Sequence, residues 1–188
     1  MNDPVRILGI AGSLRQGSYN RSALRAATEL VPDGASIEVF ELDGIPGFNQ
    51  DEEQNPPAKV AEFKRKIREA DAILFVTPEY NYSVPGVLKN AIDWASRPYG
   101  ESAWNGKPAA IMGASIGNIG TARAQYHLRQ TMVFLNMFPL NQPEVMIGNA
   151  ADRFDAQGNL TDDTTRDYIR RLLQNLVEWT RRIAQPQA

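Results

Sequence analysis

An α/β fold with a doubly wound, five-stranded parallel sheet is what this sequence predicts, on three observations. Short, largely apolar runs alternate with longer segments whose apolar residues recur at helical spacing. Runs of that kind suit strands covered on both faces, as in parallel sheets. The 188 residues make a single domain at about 150 residues per domain, enough to bury one core without a disulfide or metal. A βαβ alternation puts helices on both faces of the sheet. Five such strands commonly run in the order 2-1-3-4-5, with ligands bound beyond their carboxyl ends where the winding reverses.

The elements follow in order. Residues 5–11, with Ile7, Leu8 and Ile10, form the first strand, closed by Gly12-Ser13. Residues 20–30 carry Ala23, Leu24, Ala27 and Leu30 on one helical face. Residues 36–42, with Ile37, Val39 and Phe40, are the second strand, and the Pro/Gly/Asn-rich residues 43–57 are long enough for a functional lip. Residues 58–70 are an amphipathic helix with Val60, Phe63 and Ile67 inward; the basic cluster of Lys64, Arg65, Lys66 and Arg68 reads as its solvated face. Residues 72–77 are the third strand, stopped by Pro78, and 84–96 the next helix, with Pro85 in its first turn. A fourth strand at 109–114 and a helix at 120–135 follow, then a weaker strand within 142–147, interrupted by Pro143. The closing helix spans about residues 162–183, with its stripe at Ile169, Leu172, Leu173, Leu176 and Ile183.

Composition excludes several chemistries. The chain has no cysteine and one histidine, His127. Thiolate redox chemistry, iron–sulfur clusters and multi-His metal sites are therefore out. A formal charge of -2 argues against bulk binding to nucleic acid. The start, Met1-Asn2-Asp3-Pro4-Val5-Arg6, has no apolar targeting core, and no run reaches membrane-spanning length. The expectation is a cytoplasmic protein with no membrane partner.

The loops after strands one, three and four should meet at one rim. The first, Gly12-Ser13-Leu14-Arg15-Gln16-Gly17-Ser18-Tyr19-Asn20, combines glycines, hydroxyls, an arginine fork and the start of a helix. A phosphate monoester requires such N–H donors, a positive dipole end and a cation. It is not a Walker A loop, because no Lys follows the glycine, nor a G-x-G-x-x-G fingerprint. The second, Pro78-Glu79-Tyr80-Asn81-Tyr82-Ser83-Val84-Pro85-Gly86, is stiffened by prolines and offers free amides and aromatic surface to a flat heteroaromatic ring. The third contains Gly113-Ala114-Ser115-Ile116-Gly117, which fits the G-x-S-x-G nucleophile elbow. Its partners fail, since no acidic residue lies between Ser115 and His127. A glycine-lined loop that lets backbone approach a ligand is the better account.

These loops, together with Leu88-Lys89-Asn90-Ala91-Ile92-Asp93-Trp94 and with Gly117 to Gly120 leading into Arg123-Ala124-Gln125-Tyr126-His127-Leu128-Arg129-Gln130, resemble the NAD(P)H-dependent FMN reductase family. Within it the chain is most similar to the bacterial quinone and chromate reductases. The resemblance implies a flavodoxin-like fold, non-covalent FMN, and NADPH or NADH as co-substrate. It implies two-electron reduction of small-molecule acceptors: quinones, other oxidants such as chromate, or free flavin. Carried to matching positions, it puts the FMN phosphate on Ser13, Arg15, Ser18 and Asn20, with Leu14, Gly17 and Tyr19 in the same loop. Pro78, Glu79, Tyr80, Asn81, Tyr82 and Ser83 would line the isoalloxazine, with Ser115 and Gly117 on its far side. No side chain is expected to be catalytic, because the flavin carries the hydride.

Two rivals share the fold: a flavodoxin-type electron carrier, and an inert interaction module. Carriers are strongly acidic around the flavin, which a charge of -2 supports little. The helices at 84–96 and 123–135 carry Leu88, Ile92, Trp94, Tyr126, Leu128, Met132, Val133, Phe134 and Leu135 on more than one face. That surplus predicts a homodimer or homotetramer built on both helices, with Arg123, Tyr126, His127 and Arg129 at or near the contact.

Overall fold

The computed structural model describes residues 3–184; Met1 and Asn2, part of the expected leaderless start, lie outside them. The strands are β1 (Val5–Ala11), β2 (Ala35–Phe40), β3 (Ala72–Val76), β4 (Pro108–Ala114), β5 (Phe138–Pro139) and β6 (Val145–Ile147). The helices are α1 (Tyr19–Leu30), α2 (Ala58–Glu69), α3 (Gly86–Ala95), α4 (Ala122–Phe134) and α5 (Asp163–Ala184). The sheet runs β2-β1-β3-β4-β5, with β6 also on β4, and every pairing is parallel.

Alternation along the strands sorts the apolar side chains into two cores. Ile7, Leu74, Val76 and Met112 face α1 and α5, where they meet Leu24, Ile169 and Leu173. Leu8, Ile10, Phe75 and Ile111 face the opposite side, against Phe63, Leu88, Ile92 and Leu128 of α2, α3 and α4. Among the described residues, no helix is long and apolar enough to cross a membrane.

The fifth sheet position departs from expectation. It is filled by two short pieces and begins earlier than residue 142. β5 lies on Pro108 and Ala109, and β6 on Met112, Gly113 and Ala114. Pro143 between them has no N–H for the ladder, and Arg129 draws the Leu140 carbonyl aside with a 2.9 Å hydrogen bond. A second departure is at α3, where Pro85 is extended (ψ 144°) and precedes the helix instead of opening its first turn. Val84, as the residue before a proline, is itself disfavoured from helical geometry.

Residues 43–57 are not a free lip. The Pro46 carbonyl accepts from Asn90 Nδ2 at 2.8 Å and Trp94 Nε1 at 2.9 Å, while the Phe48 N–H donates to Asn90 Oδ1 at 2.7 Å. Phe48 stands edge-on to Trp94 with ring centroids 5.1 Å apart. This loop and Trp104, whose Nε1 donates to the Ile92 carbonyl at 3.1 Å, cover the second apolar face of α3. Leu88, Ile92 and Trp94 are buried within one chain, so α3 has no apolar surplus to offer a partner.

The closing helix is held at its start by Asp162, whose Oδ2 accepts from the Thr165 N–H at 2.7 Å and hydroxyl at 2.5 Å and pairs with Arg153 at 2.8 Å. Those hydrogen bonds from Thr165, and then the Arg153 charge, hold the carboxyl below its ordinary 3.8. A carboxyl depressed in the folded state stabilises fully above its unfolded value, and the effect is lost as pH falls through the folded one. Thermal melts should therefore show the wild type losing stability below about pH 4, with Asp162→Asn losing less over the same interval. Identical acid limbs in the two proteins would count against this role.

Candidate active site at the carboxyl rim

The turn from β1 into α1 is built around Ser18. Its hydroxyl accepts from the Asn20 N–H at 3.2 Å and so caps α1, as small hydroxyl residues do at helix starts. Ser13 is buried, and its Oγ accepts from the Arg15 N–H at 3.4 Å. The backbone N–H groups of Ser13, Leu14, Gln16, Gly17 and Tyr19 donate to no acceptor among the described residues. The first turn of α1 holds no acidic residue, so the positive end of its dipole is not neutralised. Arg15 is exposed, curls back toward Gly17, and forms no salt bridge among the described residues.

One member of the expected phosphate set, Asn20, turns inward, as does its loop neighbour Tyr19. The buried Asn20 donates from Nδ2 to the Ala114 carbonyl at 2.9 Å and accepts the Ala114 N–H on Oδ1 at 2.8 Å. Its amide joins α1 to the end of β4 and is not presented to a ligand. Tyr19 packs its ring on Phe154, centroids 5.5 Å apart, against the α1–α5 core, leaving only its N–H at the rim.

The loop after β3 opens with buried Pro78 and closes on itself. The Tyr80 N–H donates to the Ser83 carbonyl at 3.1 Å and the Ser83 N–H to the Tyr80 carbonyl at 3.0 Å. Between them Asn81 (φ 50°) and Tyr82 (φ 67°) are both left-handed, as in a two-residue type I′ turn. Asn tolerates that region; for Tyr it costs about 1–2 kcal/mol. Tyr80, Asn81 and Tyr82 are exposed at this tip. Glu79 is not: its Oε2 accepts the N–H groups of Arg123 and Ala124 at 3.0 and 3.2 Å. Its side chain therefore caps α4 from another loop, where Thr121 makes no side-chain cap, while still bordering the cleft beside Asn81 and Tyr82. Arg123 Nε sits 2.5 Å from Glu79 Oε1, an ionic approach with no N–H aligned on an acceptor. The Arg123 guanidinium lies 3.6 Å over the Tyr82 ring. Ser83 Oγ is 3.0 Å from His127 Nδ1.

In the third loop Ser115 Oγ accepts the Gly117 N–H at 3.2 Å. With His127 on Ser83, Ser115 has no base beside it, and the nucleophile elbow is excluded on geometry. The glycines divide in use. A Cβ on Gly113 would collide with Thr77 O, and one on Gly148 with Asn118 O, so these serve internal packing. Gly117 has no such neighbour and is open toward the cleft. That cleft has a volume of about 430 Å³, bounded by Glu79, Asn81 and Tyr82 on one side and Ser115, Gly117 and Ile119 on the other, with Arg123 at its base. Ligand pockets are commonly this size. Arg123 and Ile119 were missing from the site read in the sequence, because 44 residues separate Glu79 from its cationic partner.

The family model for NADPH-dependent FMN reductases matches residues 5–152. The chain belongs to the NADPH-dependent FMN reductase family. An NAD(P)H-dependent FMN reductase of Pseudomonas aeruginosa is 60% identical over 97% of this chain and 99% of its own. A 2-hydroxy-1,4-benzoquinone reductase of a Burkholderia species is 44% identical, covering 94% and 97%. Among solved structures, the flavoenzyme NAD(P)H:(acceptor) oxidoreductase of Paracoccus denitrificans superposes with a TM-score of 0.87 at 35% identity, over 95% of this chain and 98% of that one.

The family cofactor fits the donor set at this rim. A phosphate dianion calls for unsatisfied N–H groups, hydroxyls, a cation and a helix start without acidic residues, and the β1–α1 turn supplies all four. Replacing Arg15 by Ala removes a charge-assisted contact typically worth about 1.5–3 kcal/mol, so FMN affinity should fall about tenfold or more. Titration of apoprotein by flavin fluorescence quenching measures it, with riboflavin as the phosphate-free control. An unchanged dissociation constant would remove Arg15 from the site.

Proposed function

We propose that this chain is an FMN-dependent NAD(P)H oxidoreductase that reduces quinones and other small oxidants by two electrons, in a ping-pong cycle, as a homo-oligomer. The reading is carried by one juxtaposition: an unpaired arginine and an acid-free helix N-terminus on the β1–α1 turn, at the same sheet rim as an open cleft of about 430 Å³. Relatives named as quinone reductases, at 42–44% identity over nearly their full length, favour this over the electron carrier of the same fold.

In this reading Ser13 and Ser18 offer hydroxyls to the phosphate, the free amides of Ser13, Leu14, Gln16, Gly17 and Tyr19 donate to it, and Arg15 closes over it. Leu14 and Gly17 shape the loop, while Asn20 and Tyr19 hold it in place from beneath. Pro78, Glu79, Tyr80, Asn81, Tyr82 and Ser83 line one side of the isoalloxazine, and Ser115 and Gly117 the other. FMN, when bound, supplies the hydride acceptor and donor chemistry, so the chain needs no acid, base or nucleophile of its own. Backbone amides fixed by the proline-stiffened loop orient the ring and favour negative charge on it without reorganising. Tyr82 and Ile119, exposed at 66% and 53%, give the cleft an apolar lip that suits a flat quinone.

The assembly rests on α4 alone. Tyr126, Val133 and Phe134 are exposed at 50%, 82% and 72% and lie seven and eight residues apart along one side of the helix. Such a stripe is larger than a lone domain usually leaves open, and two-fold pairing is the commonest way to cover it. The polar groups once expected at the contact have partners within the chain: Arg123 with Glu79, His127 with Ser83, Arg129 with Leu140, and Tyr126 with Glu144 at 3.4 Å.

Anaerobic addition of NADPH or NADH to the FMN-loaded protein should bleach the flavin absorbance, and initial rates with a benzoquinone series should give parallel reciprocal lines. Persistence of the oxidised spectrum would support a carrier, and intersecting lines a ternary complex. Light scattering across a dilution series should give a mass at a multiple of the 20.9 kDa chain; a fully active species at one chain mass would end the oligomer proposal.

A further inference from the structure

The turn at Asn81 and Tyr82 is not accounted for by its own sequence. Two-residue turns with both central φ values positive select Gly or Asn at those places, and here a tyrosine occupies the second at φ 67°. Nor does burial hold it, since Tyr82 is two-thirds exposed. What touches it is α4. The guanidinium of Arg123 stacks 3.6 Å over the Tyr82 ring, and His127 meets the next residue, Ser83, at 3.0 Å. Arg123 and His127 are four residues apart and share one face of α4. The first of them is fixed in turn by Glu79, which also caps the helix through the N–H groups of Arg123 and Ala124. The loop thus grips the helix at Glu79, and the helix grips the loop at Tyr82 and Ser83.

We propose that Arg123 and His127 are positioning residues that hold the Asn81–Tyr82 turn in its left-handed form and thereby set the ring-facing wall of the cleft. They act through Tyr82 and Ser83, while Glu79 keeps Arg123 in place. Because the same loop faces the acceptor, a relaxed turn alters how the acceptor is seated more than how the phosphate is held. The inference rests on the FMN reading for its kinetic consequence, but not for its conformational one.

The test uses Arg123→Ala and His127→Ala, singly and together, with Arg123→Lys and His127→Gln as conservative partners. In ligand-free protein, hydrogen exchange of the segment 79–84 should quicken in the double variant while α1 and α5 stay as in the wild type. In FMN-loaded protein, the visible circular dichroism of the flavin should change. The KM for benzoquinone should rise about tenfold, as when a single hydrogen-bonded contact is lost, with FMN affinity within about threefold of wild type because no phosphate donor is removed. His127→Gln, which can still meet the Ser83 hydroxyl, should recover most of the exchange protection. In a Tyr82→Gly background, where the backbone takes positive φ without strain, His127→Ala should have little further effect. Wild-type exchange and wild-type KM in the double variant would overturn the proposal. So would a joint fall in melting temperature and FMN affinity that His127→Gln does not restore. Failure of the wild type to bind FMN would overturn the functional reading instead, leaving the exchange result to decide this one.

Discussion

The site depends on one buried side chain, the amide of Asn20. β3 ends at Val76, which pairs with Met112, so β4 runs on to Ala114 with no strand neighbour on that side. The N–H and carbonyl of Ala114 would be left unsatisfied inside the protein, at about 1–3 kcal/mol for each such group. Asn20 answers both, accepting at 2.8 Å and donating at 2.9 Å. In doing so it ties the start of α1 to the end of β4, and the phosphate-type turn to the loop of Ser115 and Gly117. Two loops almost a hundred residues apart in sequence (94 by the bond that joins them) therefore share one rigid reference.

Charge at the rim is distributed by the same economy of partners. The three helices that follow the site loops, α1, α3 and α4, have no acidic residue in their own first turns. α4 is neutralised by Glu79 from a neighbouring loop, and α3 begins behind a proline. Among the described residues, the turn before α1 keeps free amides and an Arg15 without an acidic partner. Helix ends attract charge of the opposite sign within about a turn, so this turn suits the phosphate of the cofactor in the proposed reading.

Asn90 and Trp94 illustrate how a recognisable motif can have a structural cause. Both sit in the segment that resembles the reductase family, yet neither lines the cleft. Their side chains hold the Pro46 carbonyl and bring residues 43–57 down over α3. The loop that the sequence offers as a lip is the cover of an apolar helix face, and that cover leaves Leu88, Ile92 and Trp94 of α3 buried within the chain. α4 has no such cover, which is why Val133 and Phe134 stay exposed.

The strand order, the two-sided core and the three rim loops were legible in the sequence, because they follow from local periodicity and from the handedness of βαβ connections. So was the donor-rich turn after β1, since Ser13, Arg15 and Ser18 lie within a few residues of one another. What tertiary structure decided were the uses of groups whose partners are distant. Glu79 reads from the sequence only as a ring contact, and it is the arrival of α4 that also engages its carboxylate at the edge of the cleft. Asn20 reads as a phosphate donor until β4 outruns β3. The split of the fifth strand around Pro143, the left-handed Tyr82 and the pairing of His127 with Ser83 have the same origin. A side chain's type and spacing fix what it can bond, but which bond it makes is set by the unsatisfied backbone and charge that folding brings beside it.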